Sequence, residues 1–200
     1  MLDLLLASSN PGKLREISSL IGDLEIRLIT PNQLNLQISL EENGASYAEN
    51  AFLKAQAYCR ATKLLTLADD TGLEVEALGG MPGLRSARFS PKRDATDADR
   101  RAYLLEQLTG KPRPWKARFR CVVAVAIPES RSHFFEGDCQ GEIIPDERGE
   151  NGFGYDPIFL VQGTGRTMAE LTMEEKNQVS HRAKAVRASR ELFQKLLSSG

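Results

Sequence analysis

The sequence predicts an α/β fold in which a mixed, twisted sheet is flanked by helices. Helical and strand-like segments alternate in the first half of the chain, whereas short strand-like segments joined by turns rich in Gly, Asp and Pro follow later. The 200 residues contain no internal repeat, no low-complexity segment and no long linker. We therefore expect one domain over residues 1–200, built as a compact unit with two lobes.

The first element is predicted to be a buried strand over residues 2–7. A signal peptide is the alternative, but no basic residue precedes this apolar run and Asp3 interrupts it. Residues 8–12 form a turn, and apolar residues then recur at helical spacing. These apolar residues are Leu14, Ile17, Leu20 and Ile21.

A second helix is predicted to begin after Ser46, because Ser46 and Glu49 have the spacing of a capping box. A strand over residues 64–68 is expected to end at Asp69 and Asp70, and residues 73–78 alternate between apolar and acidic as a half-exposed strand would.

The second half of the chain begins with a predicted helix. Thr96, followed by Asp99, indicates its start, and it ends near residue 110. Residues 119–127 are mostly apolar, which predicts a central strand covered on both faces. Residues 134–135 and 140–144 predict two further strands. Ser180 can cap a final helix that runs to about residue 197.

The composition restricts the classes of partner. A formal net charge of −1 gives no general attraction to nucleic acid or to an anionic membrane, so we expect neither as a partner. No apolar run approaches the roughly 20 residues that span a bilayer. The three cysteines are odd in number and widely spaced, which favours buried thiols in a reducing, cytoplasmic setting.

One segment with chemical potential is residues 8–13, which lies between a strand and the beginning of a helix. It offers free amides, two hydroxyls, an Asn amide and Lys13, and helix N-termini attract anions. Pro11 suits the first helical position. This segment therefore predicts phosphate binding, although a plain capped helix start explains it equally well.

Asp69 and Asp70 form the second such segment. Adjacent carboxylates repel unless a cation lies nearby or their pKa values separate, and Mg²⁺ commonly takes one or two carboxylates together with water and phosphate. Either Glu41 or Glu42 could supply another ligand. The alternative is a solvated turn, because Asp-Thr-Gly often opens turns.

The third segment, residues 151–157, combines glycines with Phe153, Tyr155 and Asp156. The two aromatic rings could stack on a base and the carboxylate could accept from a ring N–H. A hairpin turn with core aromatics is the alternative. Lys176 and residues 180–182 (Ser-His-Arg) could contact a base carbonyl or phosphates, although a lone His at a helix start is usually a cap.

Taken in order, these segments resemble the inosine triphosphate pyrophosphatase family, and the resemblance covers residues 2 to about 195. Thr71 stands where many members carry Ser, which keeps the hydroxyl. The matching segments are residues 7–13, 49–55, 68–73, 78–83, 86–89, 152–157 and 175–176, followed by 180–182.

The resemblance implies two lobes with a cleft between them, a homodimer, and the Mg²⁺-dependent hydrolysis of dITP, ITP and XTP to a monophosphate and pyrophosphate. A septum-formation-like pyrophosphatase acting on modified or pyrimidine nucleotides is the alternative. The implied metal ligands are Glu41, Asp70 and Asp69, with Glu42 as a substitute for Glu41. The implied substrate-binding residues are Ser8, Ser9, Asn10, Pro11, Gly12, Lys13, Lys54, Thr71, Phe153, Gly154, Tyr155, Asp156, Lys176, His181 and Arg182.

Asp70 is the implied catalytic residue, and the sequence leaves open whether it activates water, binds Mg²⁺ or does both. Hypoxanthine and xanthine carry a 6-carbonyl where adenine carries an amino group. A donor such as His181 or Arg182 would therefore select against adenine by leaving it unpaired. No residue is identified that would reject guanine through its 2-amino group.

Overall fold

The computed structural model describes residues 1–40 and 43–198. Within them, the chain forms a seven-stranded sheet and five α-helices. The strands are β1 (Leu2–Leu6), β2 (Ile26–Ile29), β3 (Leu65–Val75), β4 (Pro82–Gly83), β5 (Trp115–Ala126), β6 (His133–Ile143) and β7 (Phe159–Val161). The helices are α1 (Pro11–Ile21), α2 (Tyr47–Thr62), α3 (Asp97–Leu108), α4 (Met173–Val179) and α5 (His181–Ser198).

The sheet has the strand order β2-β1-β3-β5-β6-β7, with β4 paired to β3. Strand β1 runs parallel to β2 and to β3, so that Leu4 lies opposite both Leu28 and Leu65. Strands β4 and β7 pair antiparallel with β3 and β6. The predicted mixed α/β fold is therefore confirmed.

The chain divides into two compact units. Unit 1 comprises Met1–Asp70, Cys121–Gly137 and Arg182–Gly200. Its core combines apolar residues of β1, α1, β3, β5 and α5, including Leu6, Ile17, Val123 and Phe193. A smaller cluster of small side chains, among them Ala51 and Ala55 of α2, packs beside Ala68 and Ala124. Close packing of small residues brings the α2 backbone near the strands that carry the acidic pair.

Unit 2 comprises Thr71–Arg120 and Asp138–His181. Its core contains side chains from β3, α3, β5, β6 and β7, including Leu73, Leu104, Phe119 and Phe159. Both ends of the loop over residues 151–156 are tied to this core, because Asn151 donates its backbone N–H to Ala169 and Tyr155 is buried. The unit therefore supplies a firm base for that loop. The prediction of a single domain stays a prediction.

Two predicted strand boundaries are wrong for the same reason. Asp69 and Asp70 lie inside β3, whereas the sequence predicted that a strand ends there. The two segments at 134–135 and 140–144 likewise belong to one strand, β6. In both cases polar residues resembling a turn lie within a strand, because pairing with neighbouring strands outweighs local turn preference.

The helix starts follow the local signals more closely. The helix predicted to start at Thr96 is α3, where Thr96 and Asp99 form a capping box, and it ends at Leu108. Ser46 accepts the Glu49 N–H as predicted, but the Glu49 side chain accepts from the N–H of Ala45. In the described part of the chain, none of the helices is long and apolar enough to cross a membrane.

Candidate functional site

The central group of unit 1 is the carboxylate of Asp69, whose side chain is 0% exposed. Its Oδ2 atom lies 3.0 Å from Lys13 Nζ and accepts from Nε of Arg182 at 3.1 Å. The backbone carbonyl of Asp69 accepts from Lys54 Nζ at 2.9 Å and from Lys13 Nζ at 3.3 Å. Two lysine ammonium groups therefore converge on one residue of β3.

The cations around Asp69 decide its protonation. Burial alone would raise the pKa of Asp69, but the charges of Lys13, Arg182 and Lys54 outweigh burial and leave the pKa far below its usual range. Burial alone would lower the pKa of Arg182, but the charges of Asp69 and Glu16 outweigh burial and leave the pKa above its usual value. Glu16 accepts a hydrogen bond from Arg182 and is itself buried. Asp69 and Arg182 are therefore both charged at neutral pH.

Asp70 has a different environment from its neighbour. Its Oδ2 atom accepts from Nδ2 of Asn50 at 3.0 Å, and its Oδ1 atom lies 3.9 Å from Lys54 Nζ. The side chain is 12% exposed, in contrast to the enclosed side chain of Asp69. Successive side chains of a strand point to opposite faces, so the two carboxylates do not share one site.

Asp70 is the carboxylate that fits a magnesium ion. It retains exposed surface, whereas the Asp69 carboxylate is enclosed and already neutralised by Lys13 and Arg182. The expectation that Asp69 is a metal ligand does not fit this geometry. The expected ligands Glu41 and Glu42 lie outside the described residues. Across residues 1–40 and 43–198, no group of three or more His, Cys, Asp or Glu side chains could hold a metal ion.

The turn before α1 is a capped helix start. Asn10 accepts the N–H groups of Gly12 and Lys13 at 2.8 and 3.2 Å, and Ser8 accepts the N–H of Asn10 at 3.2 Å. Pro11 occupies the first turn as predicted. The predicted cradle of free amides is therefore wrong for Gly12 and Lys13, because Asn10 already satisfies their N–H groups. Ser9 is exposed at this turn.

In unit 2, Asp156 joins the loop over residues 151–156 to Lys176. Its Oδ2 atom accepts both the N–H of Phe153 at 2.9 Å and a hydrogen bond from Lys176 Nζ. The same ammonium lies 5.4 Å from the centroid of the half-buried Phe153 ring. The structure thus brings together a ring, a cation and a carboxylate that sequence reasoning had grouped.

Two glycines give this loop its shape. Gly152 and Gly154 have φ of +77° and +63°, a left-handed region that favours glycine. A Cβ atom on Gly152 would lie 2.0 Å from Oδ2 of Asp156, whereas one on Gly154 would meet nothing within 4 Å. Gly152 is therefore required for the close approach of the Asp156 carboxylate.

Tyr155 belongs to the core of unit 2. It is 5% exposed, and its hydroxyl donates to the carbonyl of Ser86 at 2.8 Å. Burial raises the pKa of Tyr155 well above its ordinary value. The expectation that both aromatics stack on a base is therefore wrong for Tyr155, and the hairpin alternative with a core aromatic describes it.

His181 and Arg182 have different neighbours. The His181 ring stacks on Phe119 in unit 2, with ring centroids 4.7 Å apart and planes inclined by 17°. Arg182 belongs to unit 1 and binds Asp69 and Glu16. Both side chains are buried. Thr71 lies in β3 and is half-buried. The role of His181 and Arg182 in reading the base stays a prediction.

The sequence profile of the Ham1 family matches residues 4–192. The chain belongs to the Ham1 family. The resemblance found in the sequence motifs is therefore confirmed across nearly the whole chain.

Individual relatives of this Ham1 chain agree in length as well as sequence. A dITP/XTP pyrophosphatase of Desulforamulus reducens is 44% identical over 196 residues, covering 96% of each chain. A dITP/XTP pyrophosphatase of Thermus thermophilus is 47% identical, covering 94% of this chain and 90% of the relative. The solved HAM1 protein of Coxiella burnetii is 40% identical with a TM-score of 0.87, covering 98% of this chain and 100% of that one.

Four polar residues of the Ham1 chain contact the predicted site residues and were missed in the sequence. Glu16 binds Arg182 and Asn50 binds Asp70 in unit 1, while Asp97 and Arg101 bind Gly154 in unit 2. Each lies on a helix, where a polar residue usually indicates an exposed face. Among these four residues, Asn50 alone had a local signal of a special role. It lies in the first turn after the Ser46 cap, where Asn is a weak helix former.

Proposed function

We propose that the chain hydrolyses the non-standard purine nucleoside triphosphates dITP, ITP and XTP to the monophosphate and pyrophosphate. The observation that carries the proposal is the cluster in unit 1, where two lysines and two carboxylates of different exposure adjoin one strand. The printed names of relatives with 44–47% identity support the same reaction.

The phosphate end of the substrate is assigned to Lys13 and Lys54. The carbonyl of Asp69 binds both ammonium groups and fixes their positions. Lys13 also pairs with the Asp69 carboxylate, and Lys54 lies 3.9 Å from that of Asp70. Fixed cations lower the energy of charge that develops on phosphate oxygens. Of the predicted turn residues, Ser8 and Ser9 contribute hydroxyl groups, and Asn10 keeps the start of α1 in place.

Asp70 is assigned as the general base that receives a proton from the attacking water. Its hydrogen bond from Asn50 fixes the carboxylate while part of the side chain remains exposed. Attack at the α-phosphorus breaks the bond to the bridging oxygen, so pyrophosphate leaves and the nucleoside monophosphate remains. Mg²⁺, held by Asp70 and Glu41, would offset phosphate charge when bound.

The base end is assigned to Phe153, Lys176 and Asp156. A purine stacked on the half-buried Phe153 ring would lie near Lys176, whose ammonium could donate to the 6-carbonyl. Asp156 could accept from a ring N–H of the same base. Adenine presents an amino group at that position, so two donors would face each other and the complex would lose a hydrogen bond.

The cellular context is proposed from the family resemblance. We expect a homodimer that acts in the cytoplasm on the nucleotide pool. Sedimentation equilibrium at micromolar protein concentration measures the oligomeric state directly, and a mass corresponding to a single chain would contradict the dimer.

A panel of triphosphates tests the function. Purified protein with Mg²⁺ is incubated with ITP, dITP, XTP, ATP, GTP and a pyrimidine triphosphate, and pyrophosphate and nucleotide products are quantified separately. We expect kcat/KM for ITP and XTP to exceed that for ATP by at least about 10²-fold, because a mismatched hydrogen-bonding group is rejected strongly.

The product identity separates the reaction from its alternatives. Pyrophosphate and IMP in equal amounts agree with attack at the α-phosphorus, whereas orthophosphate and IDP would refute it. A preference for the pyrimidine triphosphate would contradict the proposed assignment of the base end. The Asp70→Asn variant is the control for contaminating phosphatases.

A further inference from the structure

The backbone of Gly154 is bound by two side chains of α3. Its N–H donates to Oδ2 of Asp97 at 2.8 Å, and its carbonyl accepts from Nη1 of Arg101 at 2.8 Å. Asp97 and Arg101 are four residues apart and therefore share one face of the helix. Both backbone polar groups of Gly154, and so the two peptide units on either side of it, are bound by one helical turn.

These two side chains are themselves fixed. Asp97 accepts from Arg100, and Arg101 donates from Nε and Nη2 to both oxygens of Glu147 at 2.8 Å. Burial alone would raise the pKa of Asp97, but the hydrogen bonds from Arg100 and the Gly154 N–H outweigh it, so the pKa is lowered. The carboxylate is therefore charged at neutral pH, and charge-assisted hydrogen bonds are the stronger kind.

The helix that carries them cannot easily shift. Its start is fixed by the capping box of Thr96 and Asp99, and Leu104 and Leu108 are fully buried in the core of unit 2. The loop is the opposite case, since Gly152 and Gly154 adopt left-handed φ values and glycine has little conformational preference of its own. The loop therefore depends on contacts from outside for a single shape.

We infer that Asp97 and Arg101 are positioning residues. By binding the Gly154 backbone they orient the Phe153 ring and thereby set the affinity for the purine base. Phe153 directly precedes Gly154, and its own N–H is bound by Asp156. The inference rests on the proposed function, because Phe153 is assigned there to the base. Neither residue is assigned any contact with the phosphates or the attacking water.

The test compares truncating and conservative variants of the two residues. In Asp97→Ala and Arg101→Ala we expect KM for ITP to rise by roughly 10- to 100-fold while kcat changes by less than about threefold, as when a charged hydrogen-bond partner of a binding loop is lost. Asp97→Asn keeps an acceptor for the Gly154 N–H and should restore most of the affinity.

Arg190 provides a matched control in unit 1. Like Arg101, it donates to both oxygens of one carboxylate, Asp23, and to one backbone carbonyl, that of Leu20. Arg190→Ala therefore removes an equivalent set of contacts and should leave KM within about twofold of the wild type. An equal rise of KM in Arg190→Ala and Arg101→Ala would attribute the effect to general destabilisation and overturn the inference.

A second measurement separates this inference from the proposed function. In protein with ¹³C-labelled phenylalanine, assigned with Phe153→Leu, we expect the Phe153 ring resonances to shift and broaden in Asp97→Ala and Arg101→Ala but not in Arg190→Ala. Unchanged resonances would overturn the positioning role even if ITP is the substrate. If the wild type fails to hydrolyse ITP, the proposed function fails, and a loss of ring order in the two variants still supports the positioning itself.

Discussion

At the scale of single residues, Asp69 and Asp70 divide two tasks between them. Asp69 is enclosed and anchors Lys13 and Arg182, whereas Asp70 keeps exposed surface and a hydrogen bond from Asn50. Because successive side chains of a strand point to opposite faces, neighbouring carboxylates need not face one ion. The sequence could not predict which one is enclosed, because Lys13 and Arg182, which pair with the Asp69 carboxylate, lie more than 50 positions away along the chain.

Asp70→Asn should lower kcat for ITP by at least about 10²-fold, because the amide cannot accept the proton of the attacking water. The variant keeps an oxygen that accepts from Asn50, so its unfolding free energy should stay close to that of the wild type. Steady-state kinetics and urea unfolding measure the two quantities. Turnover close to the wild-type value would remove Asp70 from the mechanism.

Asp69→Asn should lower the unfolding free energy, in contrast to Asp70→Asn. It removes the buried charge that faces Lys13 and Arg182 and leaves Glu16 as the buried carboxylate bound to Arg182. Removing one partner from a buried ion pair typically costs about 3–5 kcal/mol of unfolding free energy. Urea unfolding of this variant beside Asp70→Asn checks the division of tasks. Equal stability of the two variants would contradict it.

At the scale of elements, local signals predicted most of the helices and the longer strands but missed short elements. One of these is α4, although Thr172 and Glu175 form a capping box at its start. The capping box at Thr96 and Asp99 predicted α3 closely, because hydrogen bonds within four residues decide a helix start. The short elements β2 and α4 were not predicted. Neither has the length for a clear period, and β2 depends on pairing with β1, a distant partner.

The loop over residues 151–156 shows the same limit within the candidate site. Its glycines suggest a close approach of the backbone to a ligand, which stays a prediction. What the structure shows is that Gly152 lies close to the Asp156 carboxylate. The bonds from Asp97 and Arg101 were not predictable, because two charged residues near a helix start normally indicate a solvated face.

The variants Gly152→Ala and Gly154→Ala distinguish the effect of crowding the Asp156 carboxylate from the effect of backbone strain. Both changes place a side chain at left-handed φ, which costs about 1–2 kcal/mol of unfolding free energy. Only the Gly152 variant also displaces the Asp156 carboxylate. It should therefore raise KM for ITP by about tenfold more than the Gly154 variant does, through the loss of a charge-assisted hydrogen bond.

Steady-state kinetics and urea unfolding of both glycine variants check this expectation. Equal KM values for the two variants would show that the Asp156 carboxylate does not need its present position.

At the scale of the whole molecule, charge is distributed locally and not as a general field. The formal net charge is −1, yet unit 1 gathers three cations around one strand. Lys13, Lys54 and Arg182 face the carboxylates of Glu16, Asp69 and Asp70, so three positive and three negative charges sum to zero. The composition could not indicate this neutral cluster, because a net charge does not show where charges gather.

That balance leads to the last prediction, which concerns the metal. A neutral cluster does not offset the several negative charges of a triphosphate, so binding and turnover need an added cation, for which Asp70 is the accessible carboxylate. Chelation with EDTA should therefore lower kcat/KM for ITP by at least about 10²-fold, as the loss of fixed charge stabilisation does elsewhere. Excess Mg²⁺ should restore it, and EDTA already saturated with Mg²⁺ is the control. Calorimetric titration should also show weaker binding of a non-hydrolysable ITP analogue in EDTA. Full activity after exhaustive chelation would mean that Lys13 and Lys54 alone supply the charge, and the role proposed for Asp70 as a metal ligand would be wrong.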